Sequence, residues 1–189
     1  MNIIIAGCGR VGYTLAQQLN DEGHDLTLID NDAERLQPAL SNLDLQGVVG
    51  NASSFFTLQE AGIEQADLLI AVTGQDEINL ISCLIAKKAS RCRTIARVRN
   101  PEYNKEISYL RDKLGLAMII NPEYEVAREA ARILYLPSAL EVNSFAHGQA
   151  ELIKFKIPEG NILDGMTIAN LSQHIKTKVL ICAIERDGE

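Results

Sequence analysis

The chain has 189 residues, of which 47% are hydrophobic and 23% charged, and its 18 basic and 25 acidic residues give a net charge of −7. This composition is typical of a folded globular protein and excludes a disordered or fibrous chain. The acidic balance argues against nucleic-acid binding, which needs a basic face, and no apolar run approaches the roughly 18 residues of a membrane helix.

The N-terminus and the cysteines together predict the compartment. The apolar run that ends at Ala6 has no basic segment before it, so we expect no signal peptide. The cysteines are then expected to be reduced thiols of a cytoplasmic protein. None lies in C-x-x-C spacing, so no metal site is predicted; they are Cys8, Cys83, Cys92 and Cys182.

Apolar segments of strand length alternate with segments of helical periodicity through the first 136 residues. Strands are expected at Asn2–Ala6, His24–Asp30, Gln46–Val49, Asp67–Val72, Arg93–Arg99 and Met118–Ile120. Helices are expected at Arg10–Asp21, Ala33–Leu43 with Asp32 as N-cap, Phe55–Ala61, Glu77–Ala89, Pro101–Leu114 and Pro122–Tyr135. Strands joined by helices run parallel, so we predict an α/β fold, a Rossmann-type doubly wound parallel sheet of six strands in the order 3-2-1-4-5-6.

The character of the sequence changes after Leu136-Pro137. The segments expected beyond it are a strand at Leu152–Ile157, a turn at Pro158–Gly160, a helix at Ile168–His174, a strand at Val179–Ile184 and the start of a hairpin turn at Arg186–Glu189. This stretch is too short to close an α+β core of its own. We therefore predict a Rossmann domain at residues 1–136, followed at 139–189 by the start of a small α+β subdomain.

A G-x-G-x-x-G motif at residues 7–12 follows the first strand and opens the first helix. Gly7 permits a tight turn, Gly9 lets the backbone approach a pyrophosphate, and Gly12 lets helix and strand pack closely. Arg10 and Val11 begin the helix, whose N-terminal N–H groups attract phosphate. The arrangement predicts a dinucleotide or nucleotide site; the alternative is a glycine-rich turn that holds nothing.

Asp30 lies at the end of the second strand, 18 residues after the last glycine of the motif. A carboxylate at this place accepts hydrogen bonds from ribose hydroxyls and repels a 2′-phosphate. It therefore favours NAD or an adenine mononucleotide over NADP.

Other polar or small residues follow the remaining strands, whose carboxyl ends meet at the same edge of the sheet. Asn51 and Ala52 follow the third strand and are expected beside an adenine, although Asn51 is equally well explained as a turn residue. Thr73 and Gly74 follow the fourth strand, beside the middle of the ligand. Arg97, near the end of the fifth strand, is expected either to reach a phosphate or to form a salt bridge.

Catalytic machinery is hard to find in this sequence. Tyr109 and Lys113 form a Y-x-x-x-K pair like that of short-chain dehydrogenases, but the T-G-x-x-x-G-x-G turn of those enzymes is missing. An i,i+4 surface pair explains the same spacing. Cys8, at a helix N-terminus, is interpreted as a small filler rather than a redox sensor. We therefore predict a sensor rather than an enzyme, with a small NAD-dependent oxidoreductase as the alternative.

The last helix of the alternating series has an apolar face of mostly small residues. This face packs either against another subunit or against the protein's own sheet, and the sequence leaves both open. Its members are Val126, Ala127, Ala130, Ala131 and Leu134.

Taken together, several segments resemble one known family, the RCK domain, also called the KTN or TrkA-N domain. They are IIIAGCGRVGYTLAQQL, LTLID, VVGNAS, ADLLIAVTGQDEINL, IARVRNPEY and IINPEYEVA. The resemblance is strong over residues 1–136. Residues 139–189 resemble, more weakly, the beginning of the family's C-terminal RCK subdomain, which leads us to expect either a truncated version of a longer family member or a short paralogue.

The resemblance implies a cytoplasmic, nucleotide-binding regulatory subunit of a bacterial potassium uptake system. Such proteins bind NAD(H) or ATP/ADP, form homo-oligomers, and gate a potassium transporter or channel from the inner face of the membrane. By motif matching, the glycines would hold the phosphates, Asp30 the ribose, and Arg97 a terminal phosphate. Residues 51–52 and 73–74 would line the base and the middle of the cleft. Asn51 departs from the family's usual Asp, which affects the expected base or ribose contacts.

Overall fold

A computed structural model gives the fold and describes residues 1–104, 106–135, 139–145, 149–174 and 179–186. The chain divides into two units, Met1–Ala127 and Arg128–Glu189. The last helix of the alternating series thus contributes to both units. The expected domain limits at 136 and 139 stay a prediction.

The first unit alternates strands and helices as expected. Its strands are β1 (Asn2–Ala6), β2 (Asp25–Asp30), β3 (Gln46–Val49), β4 (Leu68–Ala71), β5 (Arg93–Arg97) and β6 (Met118–Ile120). Its helices are α1 (Arg10–Asp21), α2 (Ala33–Asn42), α3 (Phe55–Glu60), α4 (Asp76–Ala89), α5 (Pro101–Asn104), α6 (Ile107–Leu114) and the first part of α7 (Pro122–Tyr135).

All six strands form one parallel sheet in the order β3-β2-β1-β4-β5-β6. The predicted fold class and strand order are confirmed. The order reverses between β1 and β4, and this reversal opens a crevice at the carboxyl ends of the strands, where ligands of such sheets bind.

Two separate apolar cores cover the two faces of the sheet. Ile3 and Ile5 of β1 contribute to one core, whereas Ile4 and Ala6 contribute to the other. Side chains alternate between the faces of a strand, and helices cover both faces, so the central strand is apolar from Ile3 to Ala6.

Two predicted boundaries in the first unit differ from the structure for identifiable reasons. The strand expected to run to Arg99 ends at Arg97, because the N–H groups of Arg99 and Asn100 donate to the carboxylate of Asp76, at 2.9 and 2.8 Å. The helix expected over Pro101–Leu114 is two helices, and Glu106 precedes the second with a non-helical backbone (φ −115°, ψ 6°).

The second unit contains an antiparallel pair, β7 (Ala139–Phe145) and β8 (Ala150–Phe155), and the helix α8 (Ile168–His174). Strand β7 was not predicted, because the alternation of apolar and polar residues in ALEVNSF is broken before Phe145. The strand predicted at Val179–Ile184 is wrong: this segment has no regular secondary structure. Within the described part of the chain, β7 and β8 pair only with each other, and an unpaired apolar segment is not a strand. Of the predicted terminal turn, residues 187–189 lie outside the described residues.

Candidate functional site

The glycine motif forms a tight turn between β1 and α1. Gly7 has a left-handed backbone (φ +104°), and its N–H donates to the carbonyl of Ile29 at 2.7 Å. A Cβ on Gly7 would lie 2.8 Å from the backbone nitrogen of Thr73, and a Cβ on Gly12 would lie 1.8 Å from the carbonyl oxygen of Gly7. Neither position tolerates a side chain unless the backbone moves.

Gly9, in contrast, faces open space. A Cβ built on it meets no heavy atom within 4 Å, so a ligand has room to approach the backbone there. Gly9 is the N-cap of α1, and no side chain caps the helix. The first N–H groups of a helix have no partner within it, and those of Arg10 and Val11 belong to this first turn. Arg10 itself is exposed.

Asp30 connects the glycine turn to the start of α2. Its side chain is only 6% exposed, and its two carboxylate oxygens accept from the N–H groups of Cys8 (2.7 Å) and Asp32 (3.0 Å). The carboxylate is therefore held against the turn. Because each carboxylate oxygen has a second acceptor position, ribose hydroxyls can still donate to Asp30.

Cys8, inside the glycine turn, is a buried thiol that donates to the carbonyl of Arg35 at 3.1 Å. Burial and the charge of Asp30 raise the pKa of Cys8, and the charge of Arg35 opposes them only in part. Since the thiolate is the reactive form, this environment fits a small filler rather than a redox sensor.

The loop after β3 takes the turn conformation that the sequence left open. The side-chain oxygen of Asn51 accepts from the backbone N–H and the hydroxyl of Ser53, at 2.9 and 2.8 Å. Ala52 is buried in the core. Gly50 ties the loop to β2 by donating to the carbonyl of Asp30 at 2.9 Å. The structure brings Asn51 to the correct edge of the sheet, and its contact with a base stays a prediction.

Thr73 and Gly74 lie between β4 and the first turn of α4. The side-chain oxygen of Asn79 accepts from the N–H and the hydroxyl of Thr73, at 2.8 and 2.7 Å. Gly74 is exposed, and its carbonyl accepts from the guanidinium of Arg99. Arg99 also lies beside the buried carboxylate of Asp76, at 3.8 Å.

Sequence reasoning missed Asp76, Asn79 and Arg99. The helical periodicity of α4 places the first two on the same face as the buried residues Cys83 and Ala86, which indicates that they are buried but not which backbone groups they bind.

Arg97 forms the salt bridge that was one of its two predicted roles. Its guanidinium donates to the carboxylate of Glu123 at the start of α7. Partial burial alone would raise the pKa of Glu123, but a hydrogen bond at its own backbone and the hydrogen bond and charge of Arg97, with the charge of Arg99, lower it overall.

The Nε atom of Arg97 is buried and has no acceptor among the described residues. An unpaired buried donor costs free energy, and an anionic ligand would relieve this cost only if the side chain of Arg97 left Glu123 and turned toward it.

The Tyr109 and Lys113 pair lies on α6, where the ammonium of Lys113 is 5.9 Å from the centroid of the Tyr109 ring. Tyr109 is 62% exposed. A cation–π contact at the surface thus accounts for the i,i+4 spacing.

Two cavities lie beside the sheet, the first at the carboxyl end of its edge strand β6 and the second at the opposite edge. One of about 400 Å³ lies between β6, α6 and the start of α7, and one of about 310 Å³ lies at the amino ends of β1, β2 and β3. Among the described residues, no cluster of His, Cys, Asp or Glu could hold a metal ion, and each helix is too short or too polar to span a bilayer.

Comparison with known proteins gives a consistent result. Residues 3–122 match the family model described as the TrkA-N domain. A protein named "Trk system potassium uptake protein TrkA homolog" from Archaeoglobus fulgidus is 42% identical over the whole chain, but the chain spans only 42% of its length. A protein of the same name from Methanothermobacter thermautotrophicus is 34% identical, and the chain spans 84% of it.

Solved structures also resemble the chain. The TrkA-N domain of the inner membrane protein ybaL from Escherichia coli is 25% identical, with a TM-score of 0.62 over 70% of this chain and 96% of that one. The GsuK channel bound to NAD has a TM-score of 0.60 at 19% identity, over 76% of this chain and 25% of that one. GsuK bound to ADP has a TM-score of 0.57 at 20% identity, over 72% and 34%. At these lower identities, the GsuK structures support the fold alone.

Proposed function

The chain belongs to the TrkA-N domain family, and on that premise we propose that it is a nucleotide-binding regulatory subunit of a bacterial potassium uptake system. The observation that carries the proposal is the glycine turn with its attached carboxylate. Gly9 faces open space at the N-terminus of α1, and Asp30 is fixed beside it by the N–H of Cys8. This arrangement suits a phosphate group joined to a ribose.

The proposed ligand is NAD(H) or ATP/ADP. The buried carboxylate of Asp30 disfavours the 2′-phosphate of NADP. The GsuK structures with NAD and with ADP are of proteins that share the fold, so both ligand classes are reasonable choices.

Each site residue has a proposed role along the carboxyl edge. Gly7, Gly9 and Gly12 shape the turn, and the first N–H groups of α1, with Arg10 and Val11, bind the phosphates. Asp30 binds the ribose, and Asn51 and Ala52 border the base. Thr73 and Gly74 border the middle of the ligand, and Arg97 leaves Glu123 to bind a terminal phosphate.

Regulation is proposed to act through other chains. The apolar face of α7 includes Val126 and Leu134, whose side chains are 70% and 82% exposed. Exposed apolar side chains on one helix are suited to a protein interface, and we assign this face to a homo-oligomer. Such an assembly would bind a membrane potassium transporter or channel from the cytoplasmic side. When the nucleotide binds, the conformation of the assembly would change, and this change would gate the transporter.

The proposed role involves no catalysis, and the oxidoreductase with Tyr109 and Lys113 is the alternative. Reduction of carbonyl compounds by NADH, abolished in the Tyr109→Phe variant, would establish that alternative in place of a sensor.

Thermal unfolding with NAD, NADH, ATP, ADP and NADP tests the proposal. A ligand at a hundred times its Kd stabilises the folded state by about 2.7 kcal/mol, which corresponds to a rise in Tm of about 5–10 °C for a protein of this size. We expect such a rise with at least one of the first four nucleotides and a smaller one with NADP. A Tm that no nucleotide changes would refute the proposal.

A further inference from the structure

The ends of β4 and β5 are joined by one buried side chain, that of Asn79 in α4. Its amide oxygen accepts from the N–H and the hydroxyl of Thr73, and its amide nitrogen donates to the carbonyls of Thr73 (3.3 Å) and Arg97 (2.9 Å). Asn79 is fully buried, with 0% exposure. We call Asn79, Thr73 and the carbonyl of Arg97 the strand-end clamp.

Both the oxygen and the nitrogen of the Asn79 amide are fully hydrogen-bonded within the clamp. Both N–H bonds of the Asn79 amide have acceptors, and its oxygen accepts twice. An aliphatic side chain of similar size could pack in the same space, but it could not bind two strands through both a donor and an acceptor. An amide is therefore suited to this buried position because it can accept a hydrogen bond at the end of β4 and donate one at the end of β5.

Of the two residues that the clamp fixes, Thr73 is proposed to border the middle of the ligand and Arg97 to bind its terminal phosphate. Thr73 follows β4 and Arg97 ends β5, whereas Asp30 and the glycine turn lie on the other side of the crevice, at β2 and β1. Among the described residues, the side chain of Asn79 makes hydrogen bonds to Thr73 and Arg97 and none to Asp30 or the glycine turn. Gly7 packs against the backbone of Thr73, whereas Asp30 belongs to β2, which does not neighbour β4. A change at Asn79 should therefore weaken contacts at the β4 and β5 end of the ligand more than the contact of Asp30 with the ribose.

We infer that Asn79 is a positioning residue of the nucleotide site: it fixes the Thr73–Gly74 turn relative to Arg97, so that both can bind the phosphates beyond the first. This inference rests on the proposed nucleotide binding. We assign Asn79 no contact with the ligand; it acts through Thr73 and Arg97, to which it is hydrogen-bonded.

A residue that only stabilised the core would weaken the binding of all nucleotides to a similar degree. A positioning residue at this end should instead weaken ligands that extend to β4 and β5. AMP keeps the ribose and the first phosphate, whereas ADP and NAD extend further, so the ratio of their Kd values separates the two explanations.

The experiment measures Kd for AMP, ADP and NAD by calorimetry with the wild type and with Asn79→Ala, at a temperature at which both are folded. Ser82→Ala is the matched control, because Ser82 is also fully buried in α4, but its hydroxyl donates only within the helix, to Ile78 at 2.6 Å. We expect Asn79→Ala to weaken ADP and NAD about tenfold or more, AMP less than about threefold, and Ser82→Ala to leave the ratio unchanged.

A second variant keeps the inference testable should Asn79→Ala fail to fold. Asn79→Ser buries no charge against the carbonyl oxygens of Thr73 and Arg97, but its single hydroxyl cannot replace the four hydrogen bonds of the amide. It is expected to shift the ratio in the same direction.

Equal weakening of AMP, ADP and NAD by the Asn79 variants, or the same change of ratio in Ser82→Ala, would overturn the inference while leaving nucleotide binding intact. If the wild type bound none of the three nucleotides, the proposed function would fail, and the inference with it.

Discussion

The three glycines of the turn between β1 and α1 are needed for different physical reasons. Gly12 has no room for a side chain, because a Cβ would lie 1.8 Å from the carbonyl oxygen of Gly7. Gly9 has room in the free protein and an extended backbone (φ −75°, ψ −170°) that any residue adopts. The free protein therefore does not need a glycine at position 9, whereas a bound pyrophosphate would.

This difference gives a prediction with a built-in control. Gly9→Ala should change the free energy of unfolding by less than about 0.5 kcal/mol and weaken nucleotide binding about tenfold or more. Gly12→Ala should destabilise the free protein by about 1–3 kcal/mol, because the turn must move. Chemical denaturation and nucleotide titration of both variants measure the two effects. Undiminished nucleotide affinity in a stable Gly9→Ala variant would contradict the assigned role of this turn.

The sequence was sufficient for the glycine motif and Asp30, because both follow strands whose apolar runs are unambiguous. It was not sufficient for Asn79 and Asp76, which bind the backbone of residues far along the chain. Asp76 accepts from the N–H of Arg99, 23 residues later, and no local periodicity encodes such a partner. For Arg97 the sequence left a phosphate and a salt bridge open, since the acidic neighbour, Glu123, follows a different strand.

At the scale of helices and strands, the first unit was predictable because local and tertiary preferences agree. The central strands β1 and β4 are short, mostly apolar runs, and each helix begins within about one residue of its predicted start, except where α5 and α6 divide. Asp32 caps α2 as predicted, with its carboxylate accepting from the N–H of Glu34 at 3.0 Å.

The second unit was less predictable because its strands depend on a partner. Strand β7 exists by pairing with β8, and its pairing shifts register between Ala139 and Glu141. The segment Val179–Ile184 is as apolar as a strand, yet it pairs with neither β7 nor β8. A two-stranded sheet buries little surface, so its strands need not show the regular alternation of apolar and polar residues by which strands are predicted.

At the scale of the whole molecule, the exposed face of α7 gives a prediction about assembly. Val126 and Leu134 are expected to be covered by a second copy of the chain, so a charge at Val126 should open the interface. We expect the wild type to be a dimer or larger in light scattering after gel filtration, and Val126→Glu to shift it toward the monomer. Gln17→Glu, at an exposed polar position of α1, is the control and should leave the mass unchanged. A monomeric wild type would refute the assignment of this face.

The central claim is that the turn between β1 and α1 binds a nucleotide whose ribose is held by Asp30. Calorimetric titration of the nucleotide-free protein with NAD, NADH, ATP and ADP tests it most directly, with Asp30→Ala beside the exposed Asp21→Ala as control. At least one nucleotide should bind at one site per chain. Because hydrogen bonds to a charged group contribute about 1.5–3 kcal/mol, Asp30→Ala should weaken it about 10- to 100-fold and Asp21→Ala should not. No binding of any of the four, or full affinity in Asp30→Ala, would contradict the account.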